Sequence, residues 1–298
     1  LGNETALGTG TLTVATTAAA SFLDATPLPA TATFANPIVL PADTSAVNRT
    51  VTMTGGTGRQ LELSGIISGG SASFTTLYLN TSLAGDIASR FLLSGNNSGA
   101  VRVNRGSLVV NSNASLGAAT NALTINSNPG ASLVFSAPMT FTHPSTFSTS
   151  TAIDTGANPV QVNAAIAGTA ALTKNGNGTL TLAATNTHTG ALAVSDGKVI
   201  VNGALATSAN TVTVSASGAL GGSGTINRPA SVSGTLTPGD SGVGTLTIAN
   251  TTTVNGGAKL AIQLADWNGA AGIGFDAVTT NALAITAVPA SKFEVNVD

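Results

Sequence analysis

Between Leu172 and Gly203 the chain repeats one device: a short alternating apolar run closed by a Gly- or Asn-rich corner. The runs are Thr179 to Leu182, Ala191 to Val194 and Lys198 to Val201. Alternation at period two places Leu180, Leu182, Leu192, Val194, Val199 and Val201 on one face. Strands that are apolar on one side and joined by corners make one turn of a coil. Such a turn leaves its own apolar face uncovered, so it needs similar turns above and below. The stretch constrains architecture strongly and chemistry weakly.

The device recurs. Gly-Thr-Leu-Thr begins at Gly10, Gly178, Gly234 and Gly244, each time within an apolar alternation. A longer copy runs from Gly99 to Asn111 and aligns without gaps to Gly190 to Asn202. It matches Val101 to Leu192, Val103 to Val194, Gly106 to Gly197, Leu108 to Val199 and Val110 to Val201. Downstream, Leu123 and Ile125 match Val212 and Val214. Length differences confined to corners are what a solenoid tolerates. Alternation is also plain at Val51 and Met53, Leu61 and Leu63, Leu77 and Leu79, Leu260 to Leu264, and Phe293 to Val297. Ala15 to Asp43 is less regular and carries Pro27, Pro29, Pro37 and Pro41, so strands there should be short. Asp86 to Leu93 is the least clear segment and has room for a single helical turn. Phe135, Phe141 and Phe147 read as fillers of the coil interior or a plug between turns.

The pattern Gly178-Thr179-Leu180-Thr181-Leu182, Asn186-Thr187-His188-Thr189-Gly190, Asp196-Gly197-Lys198-Val199 resembles the passenger-associated strand repeat of bacterial autotransporters. His188 stands where members usually have Tyr, and Ala191 where they usually have Gly or Thr. Leu236-Thr237-Pro238-Gly239-Asp240-Ser241, Gly244 to Ile248, and Phe275-Asp276-Ala277-Val278 are similar to the segment that ends the passenger in that family. The resemblance implies a right-handed parallel β-helix, secreted or displayed on the bacterial cell surface as a stalk or adhesive scaffold. On that basis the chain is expected to be all-β, one solenoid over residues 1–298 with roughly a dozen turns. Residues 1–90 should form less regular turns, 91–265 the clearest repeats, and 266–298 terminal turns or a cap.

Composition narrows the function. Charged residues make up 7% of the 298-residue chain, ten Lys and Arg against twelve Asp and Glu, where an ordinary soluble domain has about 25%. No basic stripe is available for nucleic acid or an anionic membrane. One Trp and one Tyr argue against stacking platforms and aromatic sugar clefts. The absence of Cys excludes disulfides, Cys-zinc sites and thiol catalysis. No apolar run approaches the length of a spanning helix, and the start at Leu1 suggests a processed or excerpted piece.

Candidate chemistry is sparse. Asp24, Asp43, Asp86, Asp154, Asp196, Asp240, Asp266 and Asp276 stand singly, and their bland role is turn formation. Asp266 and Asp276 are the closest pair with possible coil register, as a glycan-cleaving site would need. His143 and His188 lack neighbouring carboxylates and read as corner or surface residues. Gly221 to Gly224 reads as a turn rather than a phosphate loop, and Pro238 to Gly242 only superficially resembles a calcium-binding turn. Corner Asn residues (Asn111, Asn126, Asn177, Asn202) are expected to form side-chain ladders and left-handed turns. Thr-x-Thr pairs such as Thr179/Thr181 and Thr245/Thr247 suit an exposed strand face, and their irregular spacing argues against an ice-binding array.

No catalytic, cofactor or metal site is expected, and the chain reads as a non-enzymatic extracellular structural protein: a stalk, an adhesin scaffold or a self-assembling filament subunit. Expected partners are other copies joined end to end or by strand insertion, flanking repeats of the same polypeptide, and surface glycans. Nucleic acid and membrane insertion are not expected. The alternatives are a polysaccharide-processing β-helix enzyme and a glycan- or ice-binding solenoid.

Overall fold

Period-two alternation with Gly-rich corners produces short strands throughout. The computed structural model describes residues 8–13, 20–24, 31–40, 49–55, 60–69, 75–81, 90–93, 100–103, 106–125 and 132–298. Among these residues every strand pairing with a defined register is parallel, and the one helical element is the 3-10 turn Asn113–Leu116. The fold is a parallel β-helix. Its packing divides the chain into two units, Leu1–Ala152 and Ile153–Asp298.

In the first unit one stack runs through Thr31–Phe34, Gln60–Leu63, Arg90–Leu93, Ser107–Val110 and Ser132–Phe135. Its register joins Ala32 to Leu61, Leu61 to Phe91, Phe91 to Leu108 and Leu108 to Leu133. A second stack runs from Ala20–Asp24 through Arg49–Gly55, Thr75–Thr81, Ala100–Val103 and Leu123–Ile125 to Ser145–Phe147. Arg90–Leu93 is a strand, bound by parallel neighbours on both sides; residues 86–89, the rest of the segment in which a helical turn is expected, lie outside the described set. Pro27, Pro29, Pro41, Asp43 and Asn126 also lie outside it. Phe135, Phe141 and Phe147 fill the interior as expected. The Phe135 and Phe141 rings meet edge to face with centroids 5.3 Å apart, a geometry that adds about 1 kcal/mol to simple burial.

The second unit is more regular. One face stacks Val160–Val162, Thr179–Leu182, Gly197–Val201, Gly218–Gly222, Thr235–Pro238, Lys259–Ile262 and Glu294–Val297. Its inward column reads Val160, Leu180, Val199, Leu220, Leu236, Leu260, Val295. A second column reads Lys174, Val194, Val214, Val232, Val254, Ile285. The six residues first assigned to one apolar face, Leu180 to Val201, are all buried. Successive members of a column touch across one strand spacing of about 4.8 Å, and each fully buried Leu or Val contributes about 1.5–3 kcal/mol by leaving water.

Coil length is variable. Leu220 meets Leu236 after 16 residues, whereas Leu260 meets Val295 after 35. The column survives because the extra residues leave at the corners. A third face, Thr185–Asn186, Ala204–Leu205 and Thr225–Ile226, merges with the second in the long strands Thr245–Val254 and Ala277–Ile285, with a register shift between Ile248 and Thr251.

The internal copy is visible as structure. Val101, Val103, Leu108 and Val110 are buried like Leu192, Val194, Val199 and Val201. The intervening corner turns on a left-handed glycine in both copies, Gly106 at φ 79° and Gly197 at φ 66°. All positive-φ residues among those described are Gly, so Asn111, Asn177 and Asn202 do not form the left-handed turns expected of them. Beside Asn177 it is Gly176, at φ 79°, that takes this conformation, without the Cβ clash an Asn would incur. Gly221 and Gly222 end a strand rather than form a turn, because Gly222 exchanges both backbone hydrogen bonds with Gly239.

Candidate functional site

The inward faces of the second unit hold several polar side chains, and those of Lys174, Asn186, His188, Arg228 and Asp276 are bonded to backbone. Lys174 occupies the column otherwise filled by Val and Ile and is 1% exposed. Its Nζ donates to the carbonyls of Asn175 (2.9 Å), Gly176 (2.6 Å) and Asp196 (3.2 Å). Burial pushes this amine down from its ordinary 10.5 to about 8, against the opposing pull of Asp196 and Asp154. The three acceptors belong to half-exposed corner residues, so water can replace the ammonium there. Lys174→Met should therefore raise stability at pH 7 by about 1–3 kcal/mol. The sign reverses the usual intuition. Between pH 8 and 10.5 the unfolded chain keeps the proton that the folded chain has released, so the native protein gains stability as pH rises through that window. Urea midpoints of the two proteins should converge by about pH 10.5.

One corner further on, Asn186 and His188 continue the inward parity of Leu180 and Leu182. Asn186 is 2% exposed; its Oδ1 accepts the Ile166 amide and its Nδ2 donates to Ala184 carbonyl. His188, 4% exposed, donates from Nε2 to Ala170 carbonyl. Arg228 is wholly buried. Its Nε donates to Ala206 carbonyl (3.2 Å), Nη1 to Gly190 carbonyl (2.7 Å) and Nη2 to His188 carbonyl, bracing coils that lie about 20 and 40 positions earlier in the chain.

His143 in the first unit is 1% exposed, with its ring nitrogens against the carbonyls of Asn121 and Asn113. Both histidines are thus interior groups, not surface ones. The missed signal is parity: alternation carries the inward face straight through a corner, so a polar residue there is buried with its apolar neighbours.

Burial lowers the basicity of His188, the Ala170 carbonyl opposes that, and the Arg228 charge adds to it. A histidine depressed below its unfolded 6.5 gives stability that is complete above that pH and lost as pH falls through it. The chain should weaken below about pH 6.5, and His188→Gln, which keeps a donor without titrating, should remove that component of the acid loss measured by thermal melting.

The carboxylates divide by environment. Asp276 is 3% exposed and accepts the amides of Gly244 (2.7 Å) and Gln263 (2.9 Å) on its two oxygens. Asp266 is exposed and caps its own turn through the Asn268 amide. Asp276 is therefore a clamp and Asp266 a turn residue. Asp154 and Asp196 bond the amides of Gly156 and Gly197 at corners, and Asp240 accepts Asn202 Nδ2. Asp24 has no described side chain. Thr181 lies between Gln161 and Ile200 in adjacent coils, so its row is not a Thr array. Among the described residues no group of three or more His, Cys, Asp or Glu is placed to hold a metal ion, and no helix is long and apolar enough to cross a membrane.

The remaining exceptional surface is the final coil. Leu283, Ile285, Val295 and Val297 hold inward column positions yet are 52–59% exposed, and Trp267 is 81% exposed. Between the last coils lies a cavity of about 190 Å³ lined by Val232, Leu236, Leu260, Leu283, Ile285 and Phe293 among others. Beside it an apolar groove of about 450 Å³ is lined by Ile262, Leu264, Trp267, Phe275 and Val297. Among the described strands, Glu294–Val297 pairs only with Lys259–Ile262.

No curated protein matches the chain. One family model does match, over the residues that build the Leu172–Asn175, Thr179–Leu182, Leu192–Val194 and Gly197–Val201 strands and the corners between them. Residues 172–201 match the passenger-associated-transport-repeat, the autotransporter passenger repeat that their sequence resembles.

Proposed function

We propose that this chain is a non-enzymatic structural segment, secreted or held on the bacterial cell surface, that serves as a β-helix stalk or adhesin scaffold and assembles with further copies. The observation that carries the reading is where the polar chemistry goes. Lys174, His188, Arg228, Asn186 and Asp276 are all engaged with backbone groups of neighbouring coils or corners. Side chains so engaged are occupied within the stack and leave little for a substrate. The passenger-associated-transport-repeat at 172–201 supports export of the same kind. Low charge, 7% of residues, leaves little electrostatic resistance to packing of copies.

The test is to secrete the chain, concentrate it and image it by electron microscopy, while assaying it against a panel of surface polysaccharides. Ordered oligomers or filaments without release of reducing ends are expected. Dispersed monomers at every concentration, or cleavage that is lost in Asp266→Asn or Asp276→Asn, would contradict the reading.

A further inference from the structure

We propose that the outer edge of the Glu294–Val297 strand is a self-complementary docking site for the same strand of a second copy, paired antiparallel. The proposal rests on the assembly reading above and specifies its interface. Three observations lead to it.

The first is the backbone. Glu294 and Asp298 donate their amides to Ala258 and Ile262 carbonyls, and Lys292 and Asp298 carbonyls accept from Gly257 and Leu264. Even-numbered residues therefore face Lys259–Ile262, and alternation turns the backbone groups of Phe293, Val295 and Val297 to the opposite edge. No described strand covers that edge.

The second is the side chains. Val295 and Val297, 55% and 58% exposed, extend the aliphatic columns of Leu260 and Ile262, and no described strand lies beyond them. Trp267 and Phe275 border Val297 in the apolar groove. Such a patch bordered by polar residues is the mark of an interface.

The third is charge, and it selects a second copy. With Val295 opposite Val295 of the other copy, an antiparallel pair sets Phe293 against Val297, Glu294 against Asn296 and Lys292 against Asp298, each twice by symmetry. In this register the outward-facing backbone groups occupy the hydrogen-bonded positions of an antiparallel ladder. Every apolar residue meets an apolar one, and each cation meets an anion. Lys259 already neutralises Glu294 across 3.5 Å, so no unmatched charge stands in the row.

Sedimentation of the 298-residue chain over concentrations up to about 1 mM, with Trp267 emission followed in parallel, tests the pairing. A monomer–dimer equilibrium with a blue shift of Trp267 on dimerisation is expected. Lys292→Asp opposes two carboxylates at each end and should weaken dimerisation about tenfold or more. Lys292→Asp combined with Asp298→Lys should restore it. Both positions are exposed, and far-ultraviolet circular dichroism should show the fold unchanged.

Assembly that is indifferent to both charge variants would overturn this interface while leaving the assembly reading standing; a strict monomer would overturn both. Slow amide exchange at Val295 and Val297 in a monomeric, longer form of the polypeptide would also overturn it, since the edge would then be covered from within.

Discussion

Gly190→Ala should abolish the native stack or cost more than about 4 kcal/mol in urea unfolding. A Cβ built on Gly190 falls 1.7 Å from the Ala170 carbonyl oxygen and 2.7 Å from that of Thr169. Both obstacles are backbone of the preceding coil, and neither can swing aside as a side-chain tip would. To admit one methyl group the coils must separate at this corner. That separation would also disturb the acceptors at Ala170 and Gly190 used by His188 and Arg228. Overpacking usually costs about 1–3 kcal/mol; here the loss of the shared hydrogen bonds adds to it. Gly242→Ala is the control. Nothing lies within 4 Å of its Cβ, and its stability should stay within about 0.5 kcal/mol of the parent.

Arg228→Met should cost about 3–5 kcal/mol, and Arg228→Lys should recover little of it. The guanidinium reaches three carbonyls from fixed directions, two of them on His188 and Gly190, which are themselves buried. Methionine of similar length fills the space but leaves those acceptors without a donor and without water. A lysine brings a single point charge to a site built for a fork. The contrast with Lys174→Met is the informative part. Both cations are buried by apolar columns, yet all three acceptors of Lys174 sit on half-exposed corners, whereas two of the three acceptors of Arg228 belong to buried residues. Opposite signs for the two methionine variants, measured side by side by urea denaturation, are the expected result.

These two sites also mark how far the sequence could be read. Alternation from Thr179 to Val201 was legible because one side of each strand faces the coil interior, and a period of two needs only that. The copy at 99–111 was legible for the same reason, and its corner glycine, Gly106, takes the same left-handed turn as Gly197. Lys174 and Arg228 were not singled out, although both lie on inward parity: Leu172 with Lys174, and Ile226 with Arg228, Ala230 and Val232. Their cost of burial is met by carbonyls from other coils, and which carbonyls converge depends on coil lengths that range from 16 to 35 residues. Those lengths are set by loops with no periodic signal. The clamp at Asp276 was hidden for the same reason, since Gly244 and Gln263 reach it only after an irregular loop has folded back. Left-handed corners expected at Asn fall on Gly instead, as at Gly176 beside Asn177, a choice that steric cost at positive φ decides.

The central claim is that successive coils of the second unit stack in parallel, in register, one strand spacing apart. The chain has no Cys, so spin labels can be placed pairwise without interference. Thr179, Lys198, Ala219, Thr235, Lys259 and Glu294 form one outward column. Pulsed electron-spin distance measurement from Glu294→Cys to Lys198→Cys should give about 19 Å, and to Thr179→Cys about 24 Å, a step of one strand spacing per coil. Distances that do not grow by that step, or a pair of labels held together at equal separation as across a two-layer sandwich, would contradict the stacked coil.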